Sequence, residues 1–334
     1  MPLLKCSKEE LNLAAVLLSG QSFRWKKLIR DDDENIAPSS NDIFCGVAKH
    51  RVWKIWREND EQLGYEVLAK FSKARGSDLD AVKDYFQLGI ELAPLYKLWA
   101  ENDKHFAHLL TSHRTKLEGI RVLRQDPLET VFAFICSANN HIRRITNMVE
   151  TLCELYGESI NVACSNATKT FYDFADPKRM TDDPALETVL RMRGFGYRAL
   201  NITLASKALE NGGEQFLENL SKGTYEDAKK ELQQIRGIGS KVADCICLMG
   251  LHMHFVVPID THTLQITAEN YLKTLPQKKF LQGKHQHQIA AVWQEKFGPY
   301  AGWAQAVLFA AHLRQMNIRQ PAKKRLSKIK TVKP

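Results

Sequence analysis

No two of the seven cysteines stand at a spacing that a zinc knuckle or an iron–sulfur cluster uses. Cys6, Cys45, Cys136, Cys153, Cys164, Cys245 and Cys247 are scattered and odd in number, which points to reduced thiols rather than a disulfide framework. No apolar run is long enough to span a bilayer, so no membrane role is expected. The opening MPLLKCSKEELNLAAVLLSG lacks the basic flank of a signal or transit peptide, because Glu9 and Glu10 precede its apolar run. No repeat of fixed period is present, which excludes a solenoid. Acidic charge is in deficit. The net charge is +9, and the pI near 9.1 favours a polyanionic partner. The final PAKKRLSKIKTVKP holds six Lys and Arg and no acid, so nine less six leaves +3 on the rest. A nucleic-acid site on the body must therefore be a local patch, and the tail is a disordered end, a nuclear-targeting segment or a DNA tether.

At 334 residues the chain can hold two or three subdomains around a substantial core. Its first third mixes strand and helix. SFRWKKLI, IFCGVAK, VWKIWR and LGYEVLAKF read as strands, with a hairpin at His50 and Arg51 and a loop over 31–42. From Asp78 the apolar period becomes helical, and from Asp126 almost everything is expected to be helix. Asp126–Pro127 is an N-cap followed by proline at the first helical position. Two polar turns interrupt the apolar helices, one at Asn139, Asn140 and His141, the other with Tyr197 and Arg198 at its tip. The expected class is α+β: an N-terminal antiparallel sheet with helices, then a mainly helical part.

Residues 235–250 read IRGIGSKVADCICLMG. Thr224 caps a preceding helix that carries Tyr225, Ala228, Leu232 and Ile235 on one face, so the unit is helix, glycine hairpin, helix. Gly237 and Gly239 leave backbone N–H groups uncovered beside a helix N-terminus, a ready anion site. Lys241 heads an otherwise apolar helix. There both the helix N-terminus and an apolar surface favour the neutral amine, which can form a Schiff base; the bland alternative is a phosphate-contacting surface lysine. Asp260 follows VVPI and caps THTLQITAENYL. A part-buried carboxylate facing an amine suits cleavage of a C–N glycosidic bond through an oxocarbenium-like transition state.

IRGIGSKVADCICLMG followed by VVPIDTH resembles the helix-hairpin-helix and Gly/Pro…Asp signature of base-excision DNA glycosylases. LLSGQSFRW, YFQLGIELAPLY, LRQDPLETVFAFICSANN, GFGYRA and WAQAVLFAAHLRQ extend the similarity to the eukaryotic 8-oxoguanine DNA glycosylase/lyase family, from about Leu17 to Arg314. The resemblance implies an α+β, TBP-like domain over 1–120, helical domains over 121–320 with the hairpin near 225–250, and a basic tail over 321–334. It implies excision of 8-oxoguanine opposite cytosine from double-stranded DNA and strand cleavage by β-elimination. No cofactor is implied, and the protein is expected to be a nuclear monomer, with mitochondrial delivery left open.

Carried over residue by residue, Lys241 attacks C1′ and Asp260 assists it. Gly20 supplies a carbonyl to the lesion's N7–H. Guanine N7 is an acceptor and becomes a donor on oxidation, so one carbonyl separates the two bases by about 1–3 kcal/mol. Cys245 and Phe309 sandwich the extruded base, Gln305 meets its Watson–Crick edge, and Gln21 and Pro258 complete the recognition set. Asn139 fills the vacated space, Arg144 and Arg198 contact the orphaned cytosine, Tyr197 wedges the kink, and His262 joins Gly237 and Gly239 in DNA contact. The backbone carbonyls of Gln233, Ile235 and Ile238 are candidates for a structural cation. Departures from the family pattern stand at His141, Arg236, Ser240 and Thr261–Gln265. Two rivals remain: a catalytically silent helix-hairpin-helix module that only binds damaged DNA, and a water-using glycosylase for another base, which keeps Asp260 without needing Lys241.

Overall fold

The computed structural model describes residues 1–28, 42–164, 167–273, 275 and 283–319; all but Asp42 of the 31–42 loop, and the tail 321–334, lie outside them. Strands β1 (Leu3–Lys5), β2 (Trp25–Leu28), β3 (Ile43–Ala48), β4 (Arg51–Asn59) and β5 (Gln62–Lys70) form an antiparallel sheet in the order β1-β5-β4-β3-β2. The β3–β4 turn is Lys49–His50, both left-handed at φ 49° and 56°, the hand that matches strand twist. Arg51, expected in that turn, instead pairs with Ala48, and its buried guanidinium binds Asp78 and the carbonyls of Lys49, Arg75 and Gly76.

Short α1 (Leu13–Leu17) precedes β2, and α2 (Asp78–Tyr85) follows the sheet. Both pack on its inner face around Trp25, Phe44, Trp53 and Phe86. Helices α3 (Leu92–Asn102), α4 (Lys104–Leu117), α5 (Pro127–Ser137) and α6 (Ile142–Tyr156) come next. Asp126 caps α5 by accepting from the Glu129 N–H at 2.9 Å, and Pro127 occupies the first position, so the expected start is realised. Every residue of α5 from Thr130 to Cys136 is buried, as its all-round apolar character requires.

Beyond α6 the structure departs from the helical expectation. Strands β6 (Ser159–Cys164) and β7 (Ala167–Tyr172) make an antiparallel hairpin. Its Val162 packs with Cys45, Val47, Val52 and Phe71, covering the outer face of the sheet. The alternation in SINVAC and TKTFY carried this signal, but each run is short and one-sided.

The remaining helices are α7 (Pro177–Thr181), α8 (Leu186–Met192), α9 (Arg198–Leu209), α10 (Gly213–Lys222), α11 (Tyr225–Leu232), α12 (Ser240–Met249), α13 (Thr261–Asn270), α14 (Gly283–Phe297) and α15 (Ala301–Arg319). Their core also takes in α3 and α4. Trp99 is wholly buried against Phe106 and Phe297 and donates its indole N–H to the Phe297 carbonyl at 3.1 Å. Truncating such a side chain costs about 3–5 kcal/mol. The extended segment 120–125 ties the sheet region to the helices. Gln21 donates to the Arg121 carbonyl (3.0 Å) and accepts from the Leu123 N–H (3.0 Å), while Gln125 donates to the Gln21 carbonyl (2.9 Å). Arg121, fully buried, binds Glu10 and the carbonyls of Phe86, Gln87 and Ile90.

Candidate active site

A cavity of about 290 Å³ opens between α1, α12, α13 and α15. Lys241, Cys245, Pro258, Asp260, Gln305, Phe309, Gly20 and Gln21 all line it, drawn from both ends of the chain. Amine attack at the sugar carbon of a nucleoside needs an amine and a carboxylate at one mouth and an apolar slot behind them. Each part is present.

Lys241 is the second residue of α12, placed there by the hairpin. Gly237 takes φ +96°, and a Cβ on it would lie 2.8 Å from that of Asn201 on α9, so the turn requires glycine twice over. Gly239 is extended (φ −87°) and serves as N-cap without a side-chain cap, which leaves N–H groups of the first turn of α12 open to an anion. Ser240 donates to the Gln286 side chain at 2.9 Å, fixing the start of α12 against α14. The Ile235 carbonyl accepts from the Ile238 N–H at 3.1 Å, so of the three carbonyls considered for a cation it is already engaged.

Asp260 is the N-cap of α13. Its Oδ1 accepts from the N–H groups of His262 (2.9 Å) and Thr263 (2.8 Å). Oδ2 is left to face Lys241, whose Nζ lies 3.6 Å away. The carboxylate is 17% exposed and the lysine side chain 50%. The part-burial expected for Asp260 is met. Lys241 is more open than an apolar helix suggested, although it lines the cavity.

Cys245 lies one turn behind Lys241 in the cavity wall, and burial pushes its thiol up to about 12 against the opposing pull of Lys241. It is an apolar-faced thiol at any physiological pH. Phe309 is half-buried and meets His262 edge-on, with centroids 5.5 Å apart; His262 also meets His312 at 5.3 Å. Gln305 is buried and donates to Thr263 Oγ1 (2.9 Å), which donates to the Pro258 carbonyl (3.1 Å). Thr263, invisible to the sequence reading, thereby fixes Gln305 with its other polar atom free to turn to a ligand. Gln21 touches the cavity, but its amide is spent on residues 121 and 123. Gly20 has φ +87°, and a Cβ there would meet Ile142 Cδ1 at 3.2 Å. The apolar lining from α1 and the residue after it, notably Ala14 and Leu18, carries no mark in the sequence beyond LNLAAVLL beside Gly20.

The two polar turns come together. Arg144 donates to the Gly194 carbonyl at 2.8 Å. The Tyr197 hydroxyl donates to the Ala138 carbonyl at 3.0 Å. Arg198, only 3% exposed, donates to the carbonyls of Ala138 and Asn139, and its guanidinium lies 4.6 Å from the Tyr197 ring. Asn139 is exposed at φ +49°, a conformation asparagine tolerates better than most. His141 caps α6, its Nδ1 accepting from the Arg144 N–H at 3.3 Å. Ile142, the next residue, lies where a Cβ on Gly20 would meet it, so this turn cluster adjoins the cavity rim. Among the described residues no set of three or more His, Cys, Asp or Glu side chains could hold a metal, and no helix is long and apolar enough to cross a membrane.

Comparison with known proteins bears on the family and the fold. Residues 3–131 match the family model of the 8-oxoguanine DNA glycosylase N-terminal domain. An N-glycosylase/DNA lyase of Saccharomyces cerevisiae is 36% identical over 340 residues, covering 93% of this chain and 85% of its own. N-glycosylase/DNA lyase OGG1 of Arabidopsis thaliana is 34% identical over 313 residues, covering 93% and 80%. The solved structure of MBOgg1 in complex with a low-affinity DNA ligand superposes with a TM-score of 0.75 at 27% identity, over 94% of this chain and 96% of that one. The Clostridium acetobutylicum 8-oxoguanine glycosylase/lyase, solved with double-stranded DNA containing cytosine opposite 8-oxoG, shares the fold at a TM-score of 0.73 and 24% identity, over 92% and 93%.

Proposed function

The chain belongs to the N-glycosylase/DNA lyase family of 8-oxoguanine DNA glycosylases, and from that premise we propose that it excises 8-oxoguanine opposite cytosine with Lys241 as nucleophile. It is a base-excision-repair enzyme with both N-glycosylase and AP-lyase activity. The observation that carries the catalytic assignment is Lys241 Nζ, 3.6 Å from the free oxygen of Asp260 at the mouth of an apolar cavity.

The nucleotide is extruded into the cavity, at an unstacking cost of a few kcal/mol. Only the neutral amine is a nucleophile, so Lys241 gives up its proton before it attacks. The Nζ lone pair attacks C1′ as the bond from C1′ to N9 breaks and its electrons leave with the base. The Asp260 carboxylate, held rigid by two N–H donors, stabilises the positive charge that develops on the sugar. One proton of the attacking nitrogen passes to the departing base and the other to O4′ as the sugar ring opens, which gives the imine. Loss of a C2′ proton then expels the 3′ phosphate and nicks the strand.

Base selection is assigned to the Gly20 carbonyl, to Gln305 and to the Cys245–Phe309 slot. Gln21 and Pro258 are given a different part: Gln21 holds the Gly20 segment, and Pro258 anchors Thr263 and through it Gln305. Arg144, Arg198, Asn139 and Tyr197 are assigned to the orphaned cytosine and the kink. Arg198 does this in part indirectly, by holding the backbone of Asn139. Gly237, Gly239 and His262 are assigned to the phosphates. The division at 1–120 and 121–320 belongs to this reading, as does nuclear action, which rests on the basic tail. The presence of both Lys241 and Asp260 favours this reading over a silent binding module. The test is to incubate the protein with duplexes bearing 8-oxoguanine or guanine opposite cytosine and to analyse freed bases by mass spectrometry. Release of 8-oxoguanine together with strand nicking is expected; release of another purine, or nicking without prior base loss, overturns it.

A further inference from the structure

Behind the catalytic pair lies a buried polar cluster that the chemistry above does not use. Asp244, three residues after Lys241 on α12, is 3% exposed. Its Oδ1 accepts from the Tyr225 hydroxyl at 2.8 Å and lies 2.8 Å from Lys229 Nζ. Lys229 Nζ also donates to the Tyr225 oxygen at 2.8 Å and stands 5.2 Å from the ring centroid. Three groups thus close a triangle across the two helices of the hairpin. A second contact links the same tyrosine to the other half of the site. Its ring meets Phe255 edge-on, with centroids 5.9 Å apart, and Phe255 directly precedes the short run Val256–Ile259 that delivers Asp260.

Buried ion pairs are poor sources of stability, because desolvation consumes most of the attraction, whereas losing one partner is costly. Their best-attested use is to enforce one register. Burial raises the pKa of the Asp244 carboxyl, and Lys229 and Tyr225 pull against that rise. The arrangement joins α11, α12 and the segment leading to Asp260 at one point. A rotation of α12 about its axis would break the triangle and swing Lys241 at the same time.

We propose that Tyr225, Lys229 and Asp244 are positioning residues: a clamp that fixes the rotation of α12, and so the approach of Lys241 to C1′ beside Asp260. The clamp rests on the assignment of Lys241 as nucleophile. It acts on the attack step: none of the three lines the cavity, and none is among the residues assigned to DNA contact.

The full chain is assayed as wild type, Tyr225→Phe, Lys229→Met, Lys229→Arg and Lys241→Gln. Single-turnover borohydride trapping on a duplex with 8-oxoguanine opposite cytosine reports attack. Affinity for a duplex carrying a tetrahydrofuran abasic analogue reports binding. Tyr225→Phe and Lys229→Met should slow trapping roughly tenfold, since sub-ångström misplacement already degrades attack geometry, with affinity within about twofold of wild type. Lys229→Arg should recover most of the rate lost in Lys229→Met. Unchanged trapping in Tyr225→Phe overturns the clamp, as does a fall in rate matched by an equal fall in affinity. Trapping that persists in Lys241→Gln overturns the nucleophile assignment, and the clamp with it, so the two failures are told apart.

Discussion

Replacing Gly20 by alanine should uncouple recognition of the base from chemistry at the sugar. Gly20 has φ +87°, where a Cβ costs about 1–2 kcal/mol. The new methyl would also meet Ile142 Cδ1 at 3.2 Å and Cγ1 at 3.4 Å. Ile142 is 44% exposed, so its tip can yield by a few tenths of an ångström, and backbone strain dominates. The chain relieves that strain by rotating the peptide, which turns the Gly20 carbonyl from the place where the lesion's N7–H would meet it. One unmade buried hydrogen bond is worth about 1–3 kcal/mol, or roughly 5- to 150-fold in excision rate. Cleavage at a preformed abasic site involves no base and should stay within about twofold of wild type. The assay compares single-turnover excision of 8-oxoguanine with incision of an abasic duplex. Equal loss in both, or loss in neither, would refute the carbonyl's role.

Asp260→Asn keeps a side chain able to cap α13, so the melting temperature should barely move while excision falls by about 100-fold or more, because the charge beside the sugar is gone; comparable excision would show that the carboxylate acts only as a cap. Arg144→Ala and Arg198→Ala should both relax the preference for cytosine opposite the lesion. Only Arg198→Ala, which removes a buried side chain and its hydrogen bonds to the carbonyls of Ala138 and Asn139, should also lower the melting temperature, and the reverse order in thermal melts would contradict the geometry. Glu129 is pushed up to about 7 by burial, opposed by Arg24 and reinforced by Asp126 and Asp173. Its folded value exceeds its unfolded one near 4.5, so the native state holds the extra proton between them and stability falls as pH rises through that window. Glu129→Gln should flatten that slope in denaturant titrations at pH 5 and 7; an unchanged slope assigns it elsewhere.

What could be read in advance followed from how local each feature is. The hairpin, the caps at Asp126 and Asp260, and the buried α5 are written in contiguous residues, and each took its expected form. The β6–β7 hairpin escaped because its short strands alternate weakly and gain stability only by covering a sheet encoded a hundred residues earlier. The Lys49–His50 turn was displaced by one residue because left-handed lysine and histidine carry no glycine or asparagine mark. In the site, Lys241 and Asp260 stood out from a helix start and a cap, whereas Cys245 took its role from the family pattern, with which its spacing from Lys241 agrees. Gly20, Gln305 and Phe309 needed the family pattern, since tertiary folding alone brings them to that cavity. The true engagement of Gln21, the link through Thr263 and the triangle around Asp244 depend on side-chain geometry, which periodicity does not encode.

The central claim is that one lysine carries the covalent step. Borohydride added during reaction with a duplex containing 8-oxoguanine opposite cytosine should yield a stable protein–DNA adduct from the wild-type chain and none from Lys241→Gln. Absence of an adduct with wild type, or an equal adduct from Lys241→Gln, would contradict it.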